Sequence, residues 1–125
     1  MLVQEMVSSR LELALGLQRD PVFGPMIAIG LGGVLIEILG TPQLLHAPFG
    51  IAEARLAVAR IAGGRISHAT RGLDEAQREQ LAQSAVALGN LALEQPYVSS
   101  VDVNPLMAGA HGLVAVDALL VLDDA

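Results

Sequence analysis

Three polar residues near the C-terminal end carry hard oxygen atoms in an otherwise apolar setting. Asp102 and Asn104 stand in "SSVDVNPL", and Asp117 interrupts "GLVAVDALLVL". Asp and Asn are poor strand formers, yet both stretches otherwise read as strands. Two carboxylates and an amide oxygen brought together would suit Mg²⁺, which takes few protein ligands and keeps positions for water and phosphate oxygens. Glu37, in "GGVLIEIL", is a further lone carboxylate in an apolar strand, on the same face as Leu35. It reads either as a strand end emerging into solvent, which periodicity alone favours, or as a second acidic contribution to a metal or substrate site. "GLGG" at 30–33 could cradle a phosphate, but glycine runs more often mark bends or bulges. The chain has no GxxxxGK[ST] pattern, and no GxGxxG opens a helix.

Convergence of the three residues requires a hairpin in one register. Residues i and i+2 of a strand share a face, so Ser100, Asp102 and Asn104 point one way and Val101 and Val103 the other. "AGAHG" supplies the turn. With Ala110 and His111 as its two central residues, Met107 falls opposite Val114 and Asn104 opposite Asp117. Directly opposite residues have Cβ atoms roughly 5 Å apart, and Asp102 sits one pleat away. The competing reading makes all three ordinary solvent-face residues. The position of Asp117 between Val116 and Ala118, in the most apolar terminal run, weighs against it. A one-residue slip would turn Asp117 to the valine face and remove the site.

The elements that must present this hairpin follow from period and punctuation. Residues 2–7 and 11–18 are short apolar or alternating runs separated by "SSR", a predicted hairpin. "RDPVFGP" is a turn. "MIAIGLGGVLIEIL" reads as two strands, or as one strand with a sharp glycine bend. "TPQLLHAPF" is an edge strand, bracketed by Pro42 and Pro48. The period then changes: Ile51, Ala54, Val58 and Ile61 recur at helical spacing, and Gly63-Gly64 ends the run. After the loop "RISHATRGL", Asp74 can N-cap a second helix with Gln77 three residues on. Leu81, Ala85, Leu88 and Ala92 form its apolar stripe, and Pro96 stops it. The predicted fold class is α+β, a mainly antiparallel sheet with two helices packed on one face.

Composition narrows the function. The 125 residues suffice for one small domain or one lobe of a larger enzyme. At 53% hydrophobic but only 2% aromatic, the core must be built from aliphatic and alanine packing. A net charge of −6 with so few rings argues against a nucleic-acid surface. It leaves room for a nucleotide, whose charge a metal or backbone N–H groups can meet. The absence of cysteine excludes disulfides, thiolate metal sites and cysteine nucleophiles, and is consistent with a reducing cytoplasm. No apolar run reaches the length of a membrane span, and no signal peptide is legible. "MLVQEMV" reads as a strand from the first residue, which suggests a piece of a longer protein whose upstream partner is missing.

"VQEMV", "RDPVFGPMIAIGLGGVLIEIL", "RG", "DVNPL" and "AVDALLVL" resemble, in that order, the C-terminal part of the ATP-grasp domain of NDP-forming acyl-CoA synthetases. The group includes ADP-forming acetyl-CoA synthetase-like proteins and the ATP-grasp portion of related protein acetyltransferase fusions, with succinyl-CoA synthetase β chains more distant. The match runs through essentially the whole chain, and DPxFGPxxxxGxGGxxxE followed by DxNPL is specific as a set. The resemblance implies that residues 1–125 form the second lobe of an ATP-grasp domain. It implies that Glu5, Met6 and Val7 lie against adenine, and that Asn104 and Asp117 with Asp102 hold Mg²⁺. It also places Glu37 and the glycines at 30, 32 and 33 near the phosphates and substrate. Arg71 of "RG" becomes a phosphate-side cation, a role that competes evenly with that of a surface-loop arginine. The implied chemistry couples formation or cleavage of a CoA thioester to phosphoryl transfer between ADP and ATP, through an acyl phosphate and a phosphohistidine. Such catalysis is mostly positioning and charge neutralisation, which fits a chain without cysteine.

Departures bound that expectation. Many relatives have Glu where this chain has Asp102, and "ISHATRG" is loosely matched. His46, His68 and His111 match none of the family's phosphoryl-carrying histidines and read as ordinary. No upstream lobe with its ATP-binding lysine and no CoA-binding domain is present, so the isolated chain is expected to be inactive. Two other classes compete: a non-catalytic regulatory or interaction module of an acetyltransferase fusion that kept the fold, which the missing lobe leaves open although the intact trio Asp102, Asn104 and Asp117 favours the ligase lobe, and a small metal-binding protein. The latter is weakest, because three hard ligands on an open sheet hold Mg²⁺ poorly without phosphate.

Overall fold

The computed structural model describes residues 12–32, 42–61, 73–109 and 112–123. Strand β1 (Glu12–Asp20) alternates Leu13, Leu15 and Leu17 with Ala14, Gly16 and Gln18, so one face is leucine and the other small or polar. It turns back into β2 (Gly24–Leu31), pairing Leu15 with Ile29 and Gly16 with Ala28. The turn is closed by the Asp20 carboxylate, which accepts the N–H groups of Val22 at 2.7 Å and Phe23 at 2.9 Å. Gly24 then takes φ of +78°, a conformation that suits glycine. Those two backbone donors hold the Asp20 carboxyl below the usual carboxylate range, helped by charge on His46.

Among the described residues, strand β3 (Gln43–His46) pairs with β2 alone, as expected of an edge strand between prolines. Helix α1 (Ile51–Arg60) buries Ala54, Ala57 and Val58. It ends at Ile61, ahead of Gly63-Gly64, which lie outside the described residues. Helix α2 (Glu75–Glu94) starts on the predicted capping box: the Asp74 carboxylate accepts the Gln77 N–H at 2.7 Å, and Gln77 Oε1 accepts the Asp74 N–H at 3.0 Å. Its stripe of Leu81, Ala85, Leu88 and Ala92 is buried, together with Ala82 and Gly89. Strands β4 (Val98–Gly109), β5 (Gly112–Ala115) and β6 (Ala118–Leu122) complete the chain.

The sheet order is β3-β2-β1-β4, after which β5 and β6 share the far edge of β4, β5 along its C-terminal half and β6 along its N-terminal half. All pairings between these strands are antiparallel. The helices cover the odd-numbered face of β1 and β2, where Leu13, Leu17, Ile27 and Ile29 are fully buried with Val58, Ile61 and Leu81. Arg19 ties strand to helix. Its Nε donates to the Val98 carbonyl at 2.7 Å, and one terminal nitrogen donates to the carbonyls of Ala92 at 2.9 Å and Gln95 at 3.1 Å. A fixed guanidinium fork thereby satisfies carbonyls at the α2 C-terminus, where positive charge is favoured. Among the described residues no helix is long and apolar enough to cross a membrane.

One expectation changes here. The apolar run around Asp117 is not core: every residue of β6 is exposed, Leu119 at 62% and Leu122 at 61%. Strand character in this run therefore comes from β propensity and backbone pairing with β4 rather than from burial. The low polarity around Asp117 no longer argues against a solvent-face residue.

Candidate functional site

Strand β4 is the spine of the site, and its register has two parts. Toward β5 and β6 the partners follow one count from Gly109 back to Ser100, shifting only between Ser100 and Val98: Met107 faces Val114, Leu106 faces Ala115, Val103 faces Ala118 and Asp102 faces Leu119. Gly109 pairs with Gly112, which leaves Ala110 and His111 as the connecting residues, and Gly112 takes φ of +120°. The same count puts Asn104 across from Asp117, and the Asn104 N–H donates to the Asp117 carbonyl at 3.0 Å. The expected pairing of these two residues holds, although the second run breaks at Val116 and Asp117 into two strands.

Toward β1 the count slips. Leu13 faces Leu106 but Leu15 faces Val103, so the single residue Ala14 stands opposite both Asn104 and Pro105. This is a β-bulge on β4 at Asn104-Pro105, and a bulge is where a strand accepts a proline without N–H. It also resets parity. Val103 and Leu106, three residues apart, both pack on the helix-covered core, while Asp102 and Asn104 stay on the opposite, open face. Without the extra residue, Leu106 would share the face of Asn104. A proline inside a predicted strand was the available signal for this bulge, and the alternation argument passed over it.

The open face is a shallow groove of about 490 Å³. Its floor is made of small residues, Ala14 and Gly16 of β1 with Ala28 and Gly30 of β2, and Leu44 and Leu119 contribute to its apolar lining. Asp102 lines it beside Gly16, its β1 partner, and Asn104 lines it one pleat on. Gly16, Ala28 and Leu119 are groove residues that sequence reasoning missed. The signal for Gly16 and Ala28 was the small, even-numbered half of an alternation read only for its leucines.

Asp102, Asn104 and Asp117 are all exposed. Among the described residues, the Asn104 carboxamide makes no hydrogen bond and no cation pairs with Asp102 or Asp117. Nor do any three His, Cys, Asp or Glu residues cluster closely enough to hold a metal by themselves. The donor set fits a hard cation that brings its remaining oxygen ligands with it, and does not fit a self-sufficient protein cage. Gly32 lies beside the set. Its N–H donates to the Glu12 carbonyl at 2.9 Å, so that group is committed to the sheet. Glu5, Met6, Val7, Gly33, Glu37 and Arg71 lie outside the described residues, as do His68 and His111. His46 is on the edge strand with its ring tilted against Phe23 at 5.5 Å, away from the groove.

An α+β lobe with one helix-covered face and one open groove, bordered by an Asp-x-Asn-Pro bulge, places the chain in a known class. Residues 1–122 match the family model described as an ATP-grasp domain, and the chain belongs to that family. It is 37% identical over 123 residues to an ADP-forming acetate–CoA ligase I of Archaeoglobus fulgidus, covering 98% of this chain and 18% of the relative. It is also 37% identical over 111 residues to the β subunit of an ADP-forming acetate–CoA ligase I of Pyrococcus furiosus, covering 89% of this chain and 48% of the relative. Among solved structures it superposes with a TM-score of 0.78 and 29% identity on a dinucleotide-forming acetyl-coenzyme A synthetase 1 of Ca. Korarchaeum cryptofilum, over 90% of this chain and 53% of that one. That relative was solved in complex with coenzyme A and Mg-AMPPCP. The chain thus spans about half the length, or less, of the relatives it matches.

Proposed function

We propose that this chain is the C-terminal lobe of the ATP-grasp domain of an NDP-forming acyl-CoA synthetase, a cytoplasmic ligase that couples a CoA thioester to the interconversion of ADP and ATP. Bound nucleotide lies along the open groove, on the small-residue floor of Ala14, Gly16, Ala28 and Gly30. Mg²⁺, when bound, neutralises the phosphates, and Asp102, Asn104 and Asp117 are the oxygen donors that would hold it. Glu5, Met6 and Val7 border the adenine, Gly32 and Gly33 lie by the phosphates, and Glu37 and Arg71 act at the reacting end. The single observation that carries this reading is the backbone pairing that sets Asp117 opposite Asn104, a groove residue, with the Asn104 N–H donating to the Asp117 carbonyl at 3.0 Å. It is supported by similarity to a relative solved with Mg-AMPPCP.

Turnover on this reading needs the upstream lobe and a CoA-binding domain or subunit. The chain alone is expected to bind ATP weakly or not at all by calorimetry, and tight binding would contradict a half-site. The decisive assay uses the longer enzyme containing this lobe and follows acyl-CoA-dependent ATP formation from ADP and phosphate. Asn104→Ala and Asp117→Ala should each lower it by at least about 100-fold, the upper end of what outer-shell metal partners cost. Full activity in the double variant sinks the metal assignment.

A further inference from the structure

Gly32 directly follows β2, and the Asn104 side chain of the β4 bulge reaches it across β1. A Cβ built there would stand 2.7 Å from Asn104 Oδ1 and 2.9 Å from the Leu13 carbonyl oxygen, closer than side-chain carbons approach oxygen. No side chain fits at residue 32 unless both the Asn104 carboxamide and the Leu13 carbonyl give way, and of the two the carboxamide is the group free to move. The usual role for a glycine near phosphate, offering a free backbone N–H, is not open to it, because its N–H already donates to Glu12 at 2.9 Å. The Asn104 carboxamide, for its part, has no hydrogen bond within the described residues that would hold it. Around it lie its own backbone bond to Asp117, the bulge of β4 and the bare Cα of Gly32.

We propose that Gly32 is a positioning residue whose missing side chain is the seat of the Asn104 carboxamide, and that this seat aligns Asn104 with Asp102 and Asp117 for a divalent cation. This rests on the reading of Asn104 as a metal ligand and gives Gly32 a steric task in place of a phosphate contact. The other described glycine on this stretch makes a useful contrast: a Cβ at Gly30 would meet Pro42 of the edge segment at 3.1 Å, not one of the three oxygen donors.

The test uses the ¹⁵N-labelled 125-residue chain with Mn²⁺ and millimolar ADP as probes, concentrations that read the weak binding expected of a half-site; absence of broadening at Asn104 and Asp117 in the parent chain overturns the proposal. Asn90 and Asn104 are the two asparagines, so Asn90 is an internal control. Gly32→Ala should shift the Asn104 carboxamide resonances and leave those of Asn90 in place. Its loss of thermal midpoint should be smaller in an Asn104→Ala background, where one of the two clashes is gone. The Mn²⁺ concentration that broadens the backbone amides of Asn104 and Asp117 should rise about tenfold in Gly32→Ala, with no further rise when Gly32→Ala is added to Asn104→Ala. An unmoved carboxamide with equal midpoint losses in the two backgrounds overturns the seat. Mn²⁺ broadening that Asn104→Ala leaves unchanged overturns the metal reading, whatever the coupling between the two residues. If Gly32→Ala does not fold, Asn104→Gln tests the same seat by lengthening the amide against an unaltered Gly32. An Mn²⁺ titration identical to the parent chain then overturns the proposal.

Discussion

The two faces of β1 and β2 are written by the same residues and do opposite things. On one, Leu13, Leu17, Ile27 and Ile29 are fully buried under α1 and α2. On the other, Ala14, Gly16, Ala28 and Gly30 leave a groove bordered by Asp102 and Asn104. The covered face gains hydrophobic free energy in proportion to the apolar area it removes from water. The open face gives up that gain and keeps space and oxygen donors instead. Stability and ligand chemistry are thus separated by side-chain parity within each strand, so substitutions on adjacent residues should have unlike consequences.

The largest effect should come from the covered face. Ile29→Ala is expected to cost about 2–5 kcal/mol, the range for deleting a buried aliphatic side chain, read as a lower urea midpoint. A cost under ~1 kcal/mol would mean the two faces are not energetically distinct. Arg19→Ala should follow at about 2–3 kcal/mol, since one charged fork serves three carbonyls. Arg19→Lys should recover only part of this, because an ammonium cannot reproduce the fork. Asp74→Ala removes the α2 capping box and should cost about 1 kcal/mol by the same measurement. Ala28→Leu, one residue from Ile29 but on the open face, should change stability by no more than about 0.5 kcal/mol. In the longer enzyme it should nonetheless weaken nucleotide binding by filling the groove. If it unfolds the chain, the open face is packed after all.

The smallest effect is the acid response of the β1–β2 turn. The folded carboxyl of Asp20 is lowered by the Phe23 and Val22 N–H groups. Its contribution is therefore fully present above the ordinary carboxylate pKa and is lost as pH falls through the lowered folded value. The amide resonances of Val22 and Phe23 should move together in that acid window and stay flat above it. Movement near neutral pH would assign the titration to another group.

Much of this was legible in advance, for identifiable reasons. The capping box at Asp74 and Gln77, the α2 stripe, the edge strand between prolines and the Asn104–Asp117 pairing all depend on residues near one another in sequence, where fixed periods and turn lengths apply. What escaped reading depended on neighbours distant in sequence. The bulge at Asn104-Pro105 exists only relative to β1, the exposure of β6 only relative to where α2 packs, and the role of Arg19 only once the α2 C-terminus reaches it.

Taken alone, the sequence determined the order of the described elements as far as β5, the α2 cap, the hairpin register and the residue types able to bind a hard cation, because backbone geometry imposes periods of 2 and 3.6 on any chain; the expected strands at 2–7 and in "GGVLIEIL" lie outside the described residues. Tertiary structure alone decided which face of the sheet became core and which became groove, since that choice depends on where two helices come to rest. It also decided that Gly32 lies against Asn104, an approach across 72 residues of sequence that excluded volume enforces and no local pattern encodes.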